Sequence, residues 1–273
     1  MDYTINVRGH LLDLSKPLVM GIMNVTPDSF YANSRRQTEQ EIAERACQII
    51  SEGAAMIDIG GCSTRPGADL ATEKQEMERL RFSLGIVRRE LPDAVVSVDT
   101  FRPNVARMAV EEYGADIIND VGNPALTATP SALPSDMFRM VSRLRVPYIL
   151  MSSQSTIRDL LLDFAEKVQQ LRDLGQKDII LDPGFGFGKT LDENYQVLSQ
   201  LEQLQVMELP LLVGVSRKSM IYRLLETLPE QALNGTTALN AIALTKGASI
   251  LRVHDVKEAV ECCQIYGKLN SKS

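Results

Sequence analysis

The strongest constraint in this sequence is a pattern that repeats along the chain: a short apolar run, a polar residue at its end, and then an amphipathic stretch. Near-continuous runs of Val, Ile and Leu are typical of strands that are covered on both faces. Strands that alternate with helices form parallel sheets, because a parallel pair needs a crossover connection. The eight runs are LVMGIMN ending at Asn24, AMIDIG around Asp58, VVSVD ending at Asp99, DIIND around Asn119, YILMSS ending at Ser152, DIILD ending at Asp182, LLVGVSR at Ser216 and ILRVHD at Arg252.

Eight strand–helix units can close into a barrel or lie in an open, doubly wound sheet. A polar residue ends each run, which favours the barrel, because the carboxyl ends of barrel strands form one mouth where such enzymes work. We therefore predict an α/β protein with a (β/α)8 TIM-barrel fold, as a single domain over residues 1–273. The amphipathic stretches predict helices over residues 39–52, 73–91, 159–174 and 192–205.

Three segments lie outside this repeat. Residues 4–13 are predicted to form a short N-terminal hairpin that turns near Gly9 and plugs the bottom of the barrel. Residues 26–37, after the first strand, and residues 121–135, after the fourth, are predicted to be loops. The second loop is rich in Pro, Ala, Thr and Ser, a composition typical of connections between regular elements.

The composition excludes several classes of function. A formal charge of -6 and a pI near 5.1 argue against a general affinity for nucleic acid or for an anionic membrane. The sequence contains no apolar run of about 18 residues, which a transmembrane helix needs, and residues 1–14 lack the apolar core of a secretory signal. The four cysteines lack zinc-ligand spacing, so we expect reduced thiols and a cytoplasmic location. They are Cys47, Cys62, Cys262 and Cys263.

Polar residues at the strand ends are the candidates for a binding site. A carboxylate can accept two parallel N–H bonds from a guanidine-like edge, and an Asn side chain offers both a donor and an acceptor. Two acids and an Asn around one pocket therefore suit the donor-rich edge of an aminopyrimidine. Taken singly, Asp99 and Asp182 can equally be helix N-caps, since each begins a loop before a helix. The full set is Asn24, Asp99, Asn119, Asp182, Lys218 and Arg252.

Cationic residues follow the last two strands. Loops after the seventh and eighth strands of a barrel often bind phosphate, together with a helix N-terminus. Here the segment 216–219 follows the seventh run, and Arg252 and His254 end the eighth. The alternatives are that Arg217 is a solvated surface charge and that His254 is a structural histidine.

Three loop motifs remain. The segment GFGFGKT at 184–190 is not a phosphate-binding P-loop, because Pro183 stands where that motif requires its first glycine. Its glycines allow a sharp turn that places Phe187 where it could stack on a flat ring, although Phe185 and Phe187 could also be core residues. Asn24 at the end of the first strand is a suitable oxygen ligand for Mg²⁺ held jointly with substrate phosphates. The segment 63–67 presents hydroxyls and a guanidinium, and either loop could instead be ordinary turn chemistry.

Seven motifs occur in a fixed order: NVTPDSF, STRPGA, VDT, IIND, DPGFGFGKT, GVSRKS and RVHD. In this order they resemble bacterial dihydropteroate synthase, a family of pterin-binding TIM barrels, and the resemblance extends from about Val19 to Gly267. It implies a transferase of folate biosynthesis. Such an enzyme joins 6-hydroxymethyl-7,8-dihydropterin diphosphate to p-aminobenzoate and releases diphosphate. It also implies small-molecule substrates, a homodimer and a target of sulfonamides.

The resemblance assigns roles motif by motif. Lys218, Asp99 and Arg65 would be catalytic, and Asn24 would bind Mg²⁺ together with the diphosphate. The pterin site would consist of Asp99, Asn119, Asp182, Phe187 and Lys218, the p-aminobenzoate site of Thr64, Pro66 and Ser216, and the diphosphate site of Arg65, Arg252 and His254.

The sequence departs from the family pattern in three places. The family usually has a His-Met pair and a Gly-x-Pro turn after the fifth strand, where this chain has Ser152–Thr156 and a shortened loop. Cys62 stands where many members have Glu, and a common Asp-Gly-Gly segment is absent at residues 31–33. None of these changes removes a residue assigned to bond breaking, so we expect an active enzyme.

Two other functions would explain parts of the pattern. A methyltetrahydrofolate-binding methyltransferase barrel shares the pterin pocket, but it needs neither the STRPGA-like loop nor the diphosphate cations. A catalytically silent pterin-binding protein is the second alternative, and the altered segment after the fifth strand motivates it.

Overall fold

The structure is a computed structural model, and it describes residues 3–25, 35–62, 70–122 and 134–270. Within these ranges eight parallel strands form one sheet in the order β8-β7-β6-β5-β4-β3-β10-β9. A parallel bridge between Leu181 and Leu211 joins the two outer strands, so the sheet closes on itself. This confirms the predicted (β/α)8 barrel. The strands are β3 (Leu18–Asn24), β4 (Met56–Gly60), β5 (Val95–Asp99), β6 (Ile117–Asp120), β7 (Tyr148–Met151), β8 (Ile179–Asp182), β9 (Leu212–Val213) and β10 (Ile250–Val253).

Helices surround the sheet, and several begin at the polar residues that helix starts require. Thr72 and Thr190 each form a capping box with the residue three positions later, which satisfies the first free backbone amides. A buried layer of Val, Ile and Leu side chains separates the helices from the strands. The helices are α1 (Arg35–Ser51), α2 (Glu73–Glu90), α3 (Pro103–Tyr113), α4 (Asp136–Leu144), α5 (Ile157–Asp173), α6 (Leu191–Ser199), α7 (Ser219–Tyr222), α8 (Leu233–Thr245) and α9 (Val256–Asn270).

One helix differs from its prediction. The pattern predicted a helix over residues 192–205, but α6 ends at Ser199 and a 3₁₀ helix follows over Leu201–Met207. Leu201 and Leu204 of this segment are buried. Apolar residues that recur every third position match the three-residue period of a 3₁₀ helix, in which positions i and i+3 share one face. The wrong prediction therefore came from reading a three-residue repeat as a continuous α-helical one.

The N-terminal hairpin closes the lower end of the barrel, as predicted. β1 (Thr4–Val7) pairs antiparallel with β2 (His10–Asp13), and the turn between them has positive φ at Arg8 (51°) and Gly9 (81°), as a tight hairpin turn requires. Ile5 and Val7 of this hairpin are buried against apolar side chains near the N-terminal ends of the barrel strands. The bottom of the barrel is therefore an apolar plug, and the functional residues lie at the other end.

Strand alternation places polar residues inside the barrel above this plug. Successive side chains of a strand point to opposite faces. On β4, Met56 belongs to the plug cluster, whereas Ile57 and Ile59 pack in the layer below the helices. Asp58 therefore points inward, and the same alternation directs Asp99, Asn119 and Arg252 into the barrel, where they contact Asp58 or one another.

No helix in the described ranges has the length and apolar character needed to cross a bilayer.

Candidate active site

Residues at the C-terminal ends of four neighbouring strands lie in one layer at the barrel mouth. Asn24, Gly60, Asp99 and Asn119 are register partners across β3, β4, β5 and β6. A side chain at Gly60 would place its Cβ only 3.5 Å from Asn24 Oδ1 and 3.8 Å from Asp99 Oδ2. Glycine at this position therefore leaves room for a ligand group between the amide and the carboxylate.

A buried arginine joins two carboxylates below this layer. Arg252 donates from Nε to Asp58 Oδ2 at 2.6 Å and from Nη2 to Asp99 Oδ2 at 2.7 Å. Asn119 Nδ2 donates to the same Asp58 oxygen at 3.0 Å. The sequence analysis gave no role to Asp58, which is completely buried. The signal was available, because strand alternation from Met56 predicts an inward-facing acid at position 58.

Burial changes the acidity of this group of residues. Burial raises the pKa of Asp99 to about 7, an effect that Arg252 opposes and that the nearby Asp58 carboxylate reinforces. Burial also raises the pKa of Asp182, which the Lys218 ammonium opposes. Two buried acceptors, Asp58 Oδ1 and Asn119 Oδ1, have no hydrogen-bond partner among the described residues. The interior of the barrel therefore presents acceptor atoms that can receive hydrogen bonds from a ligand.

The glycine-rich loop after β8 forms one wall of the site. Gly184, Gly186 and Gly188 have φ values of 62°, 79° and 63°, which only glycine adopts freely. Gly184 N donates to Asp182 Oδ1 at 2.8 Å, so the loop turns directly above that carboxylate. Phe185 is fully buried in the core, whereas Phe187 is partly exposed. Phe187 is therefore the ring that remains available to a ligand.

Two lysine side chains contact this loop. Lys218 donates from Nζ to the Phe185 carbonyl, and its ammonium lies 4.7 Å from the centroid of the Phe187 ring. Lys189 donates from Nζ to the Gly184 carbonyl at 3.0 Å. Burial lowers the pKa of each lysine to about 8, and the Asp182 carboxylate opposes this shift in both. The sequence analysis gave no role to Lys189.

The ends of β9 and β10 bring Ser216 and His254 together. Ser216 Oγ lies 3.0 Å from His254 Nδ1, and His254 N donates to Ser216 Oγ at 3.1 Å. Arg217, in contrast, forms two hydrogen bonds to the Asp255 carboxylate, at 2.9 and 2.7 Å. Arg217 is therefore held in an ion pair with Asp255, and its guanidinium is not a free surface charge.

The segment after β7 differs from the family pattern, and its first serine turns away from the mouth. Ser152 is buried and donates from Oγ to Asp163 Oδ2 on α5 at 2.6 Å. Lys167 donates to the same oxygen at 2.6 Å. Ser153 is exposed, and its Cβ would lie 3.8 Å from a Cβ built at Gly188. Two small residues therefore border the glycine loop on this side.

Not every predicted residue can be placed. Thr64, Arg65 and Pro66 lie outside the described residues, as do residues 26–34 of the first predicted loop. Cys62, at the edge of the described part, is half-buried, and burial raises the pKa of its thiol. The structure brings together the predicted residues Asn24, Asp99, Asn119, Asp182, Phe187, Lys218 and Arg252, with Ser216 and His254 on the adjoining strand ends.

The described residues form no cluster of three or more His, Cys, Asp or Glu side chains that could hold a metal ion. The amide of Asn24 is the predicted metal ligand, and it is an exposed oxygen donor at the mouth. Mg²⁺ keeps several waters and commonly binds one or two protein oxygens together with substrate phosphates. Asn24 can therefore supply one oxygen to a magnesium ion whose other ligands would be water and a phosphorylated substrate.

Comparison with known proteins gives one consistent result. A family described as "Pterin binding enzyme" matches residues 20–254. The dihydropteroate synthase of Escherichia coli (strain K12) is 38% identical over 265 residues, which cover 94% of this chain and 93% of that protein. The structure of Xanthomonas albilineans dihydropteroate synthase with 4-aminobenzoic acid is 33% identical, covers 100% of both chains and has a TM-score of 0.87. The structure of the Yersinia pestis enzyme with a sulfonamide drug is 36% identical, covers 98% of both chains and has a TM-score of 0.85.

Proposed function

The chain belongs to the pterin-binding enzyme family, within its dihydropteroate synthase group, and we propose here how its own residues perform the reaction of that group. It is a transferase of folate biosynthesis. It condenses 6-hydroxymethyl-7,8-dihydropterin diphosphate with p-aminobenzoate to give 7,8-dihydropteroate and diphosphate. Two acceptors inside the barrel carry our residue assignment: Asn119 Oδ1, which has no hydrogen-bond partner among the described residues, and the Asp182 carboxylate, which interacts with the Lys218 and Lys189 ammoniums.

The pterin is proposed to bind through its donor-rich edge. Its 2-amino group and ring N–H require acceptors, and we assign these to the Asn119 amide oxygen on β6 and the Asp182 carboxylate on β8. The Phe187 ring offers a flat, partly exposed surface for the bicyclic ring. Asp99 faces the same space from β5. These contacts orient the CH₂ group of the pterin towards the open mouth.

Charge separation is the costly event in this reaction. The bond between the CH₂ carbon and oxygen breaks, and its electron pair leaves with the diphosphate. The nitrogen of p-aminobenzoate then forms the new bond to that carbon and gives up one proton to the solvent or to the released diphosphate. An ionised Asp99 stabilises the positive charge left on the pterin, and the Lys218 ammonium lies between the two substrates. Groups fixed in place before the reaction stabilise such charges without reorganisation.

We propose that Mg²⁺ is the cofactor and that Asn24 holds it together with the diphosphate. The ion, when bound, neutralises charge on the leaving group. Arg65, Arg252 and His254 are proposed to contact diphosphate oxygens as well. Arg252 donates from Nε to Asp58 and from Nη2 to Asp99, and its Nη1 donates to neither of these carboxylates.

The p-aminobenzoate site is proposed to consist of Thr64, Pro66 and Ser216. The Xanthomonas albilineans relative, which is solved with 4-aminobenzoic acid, supports this substrate. Ser216 is buried beside His254, so its hydroxyl has a fixed position at the end of β9. We also propose that sulfonamides inhibit the enzyme by occupying this site, because the Yersinia pestis relative is solved with such a drug.

We propose a homodimer in the cytoplasm. Large apolar side chains are exposed on the last third of the chain, on helices and turns outside the barrel: Leu224, Leu225, Leu228, Ile242, Ile265 and Leu269. The helices α8 and α9, which carry Ile242, Ile265 and Leu269, pack against each other, and neighbouring exposed apolar side chains often mark protein–protein contacts. Sedimentation equilibrium of the purified protein tests this proposal, and a mass near 30.2 kDa at micromolar concentration would contradict it.

The function is tested by diphosphate release from the pterin diphosphate in the presence of Mg²⁺, with and without p-aminobenzoate. We expect release that requires both substrates, with dihydropteroate formed in equal amount. Pterin binding without release would instead support the silent binding protein. Mg²⁺-dependent release of diphosphate separates the proposed reaction from methyl transfer, which yields none.

A further inference from the structure

The glycine-rich loop has an internal hydrogen bond, from Phe187 N to the Gly184 carbonyl at 3.1 Å. Its three glycines can adopt many backbone conformations, so contacts from outside must add to this bond to select the observed one. Lys218 depends on that conformation: a side chain at Gly186 would place its Cβ 3.0 Å from Lys218 Cδ, and Lys218 Nζ donates to the Phe185 carbonyl. The loop therefore sets the position of the Lys218 ammonium and of the Phe187 ring.

Lys189 fastens the loop from its C-terminal end. Its ammonium donates to the Gly184 carbonyl at 3.0 Å and lies 3.4 Å from the Phe187 carbonyl. The two carbonyls are at opposite ends of the turn, so one cation connects them. Hydrogen bonds from a charged donor are stronger than those between neutral groups.

Asn194 fastens the loop from below. It lies in the first turn of α6 and is 2% exposed. Its Oδ1 accepts from Gly186 N at 2.7 Å, and its Nδ2 donates to the Thr190 carbonyl at 2.6 Å and to the Lys189 carbonyl at 3.3 Å. One buried amide therefore joins the middle of the loop to the start of the helix that follows it.

We propose that Lys189 and Asn194 are positioning residues: they hold the glycine loop so that Lys218 and Phe187 face the pterin. This inference rests on the proposed function, because it assigns the loop to the pterin site. Neither residue needs to touch the substrate. Their effect should therefore appear in pterin binding, and much less in the binding of the arylamine.

The charge of Lys189 has a second consequence. The charged groups that face the Asp182 carboxylate are Lys218, Arg252 and Lys189, and each opposes the rise that burial causes in the pKa of Asp182. The charged groups that face Lys189 are Asp182 and Glu193. Removing the Lys189 ammonium leaves Asp182 with a higher pKa. An ionised Asp182 accepts hydrogen bonds from the pterin. As the solution is acidified, such a variant should therefore lose its affinity for the pterin at a higher pH than the wild type does.

Lys189→Met, Lys189→Arg and Asn194→Asp test the proposal, with Lys74→Met, an exposed lysine on α2, as the matched control. The affinity for pterin diphosphate is measured by calorimetry from pH 4 to 8.5, and KM for p-aminobenzoate by turnover. For Lys189→Met we expect an affinity at least tenfold weaker, an acidic limb moved to higher pH and a KM for p-aminobenzoate within twofold of wild type. Lys189→Arg should recover most of the loss, since it restores the cation.

Several outcomes would overturn the proposal. Wild-type pterin affinity in both Lys189→Met and Asn194→Asp would show that the loop holds its shape without them. Equal losses for both substrates would show a general structural effect, as would a lower unfolding midpoint that Lys189→Arg does not restore. If Lys189→Met does not fold, Asn194→Asp alone tests the proposal. That variant keeps the oxygen that accepts from Gly186 N and loses the two hydrogen bonds that Nδ2 donates. Failure of the wild type to bind pterin at all would refute the proposed function instead.

Discussion

Replacement of Asp58 by Asn tests the buried charge group at the centre of the barrel. Asp58 Oδ2 accepts from Arg252 Nε at 2.6 Å and from Asn119 Nδ2 at 3.0 Å, and the side chain is 0% exposed. An Asn side chain has nearly the same shape and can still accept both bonds. The substitution therefore removes the charge and leaves the packing almost unchanged.

Two opposing terms set the size of the effect. Removing one partner of a buried ion pair costs about 3–5 kcal/mol, and the retained neutral acceptor returns about 1–1.5 kcal/mol of hydrogen bonding. Loss of the charge also relieves repulsion between Asp58 and Asp99. That repulsion acts across the intervening guanidinium, so it is weaker than the direct contact with Arg252. We expect the free energy of unfolding to fall by about 2 kcal/mol.

Urea unfolding at pH 8, above the pKa of about 7 of Asp99, measures this change. Glu112→Gln is the control, because Glu112 pairs with Arg81 in an exposed ion pair and should leave the unfolding midpoint unchanged. A second readout is the acidic limb of the turnover rate. It should move to lower pH in Asp58→Asn, because loss of the neighbouring negative charge lowers the pKa of Asp99. Unchanged or higher stability would show that the desolvation of Asp58 outweighs its pairing with Arg252.

Four further outcomes are expected. Lys218→Ala should abolish turnover while the protein still folds, and wild-type rates in that variant would remove Lys218 from the mechanism. Asp182→Asn should weaken pterin binding by about 1.5–3 kcal/mol in calorimetry, the loss of a charge-assisted contact; equal affinity would refute its placement. Turnover should rise as Asp99 loses its proton near pH 7 and fall as Lys218 loses its proton above about pH 8, so a flat profile between pH 6 and 9 would contradict both roles. Asn24→Ala should raise the Mg²⁺ concentration needed for half-maximal rate, and an unchanged requirement would show that other ligands hold the ion.

The fold was predictable because the apolar runs and the helical stretches repeat with the period of one strand–helix unit. The hairpin was predictable from the glycine between its two short strands. The break after Ser199 was not, because a run of apolar residues every third position looks helical over a short window. An α-helix buries residues three or four positions apart, so a spacing of three over a short segment is compatible with both helix types.

The site was predictable only in part. Residues at strand ends were found because a polar residue after an apolar run is visible in one dimension. Asp58 was counted as the polar residue of its run, but it lies two positions before the end of β4, and the sequence analysis did not apply the strand alternation that directs it inward. Lys189 and Asn194 were missed for another reason: their partners are backbone atoms of the glycine loop, and a sequence does not display backbone contacts.

The pairing of Arg252 with Asp58 and Asp99 weakens the attraction of the barrel mouth for an anion. Arg252, Asp58 and Asp99 together have a net charge of -1 when both acids are ionised, so this group by itself repels the diphosphate. Attraction must then come from Lys218, Lys189, the proposed magnesium ion and the other residues of the proposed diphosphate site, Arg65 and His254. The same negative charge favours the products of bond breaking, since it stabilises the pterin cation and opposes return of the anion. Because the pKa of Asp99 is about 7, the charge of this group changes between neutral and negative near physiological pH. Protonated Asp99 favours binding of the diphosphate, whereas ionised Asp99 favours bond breaking.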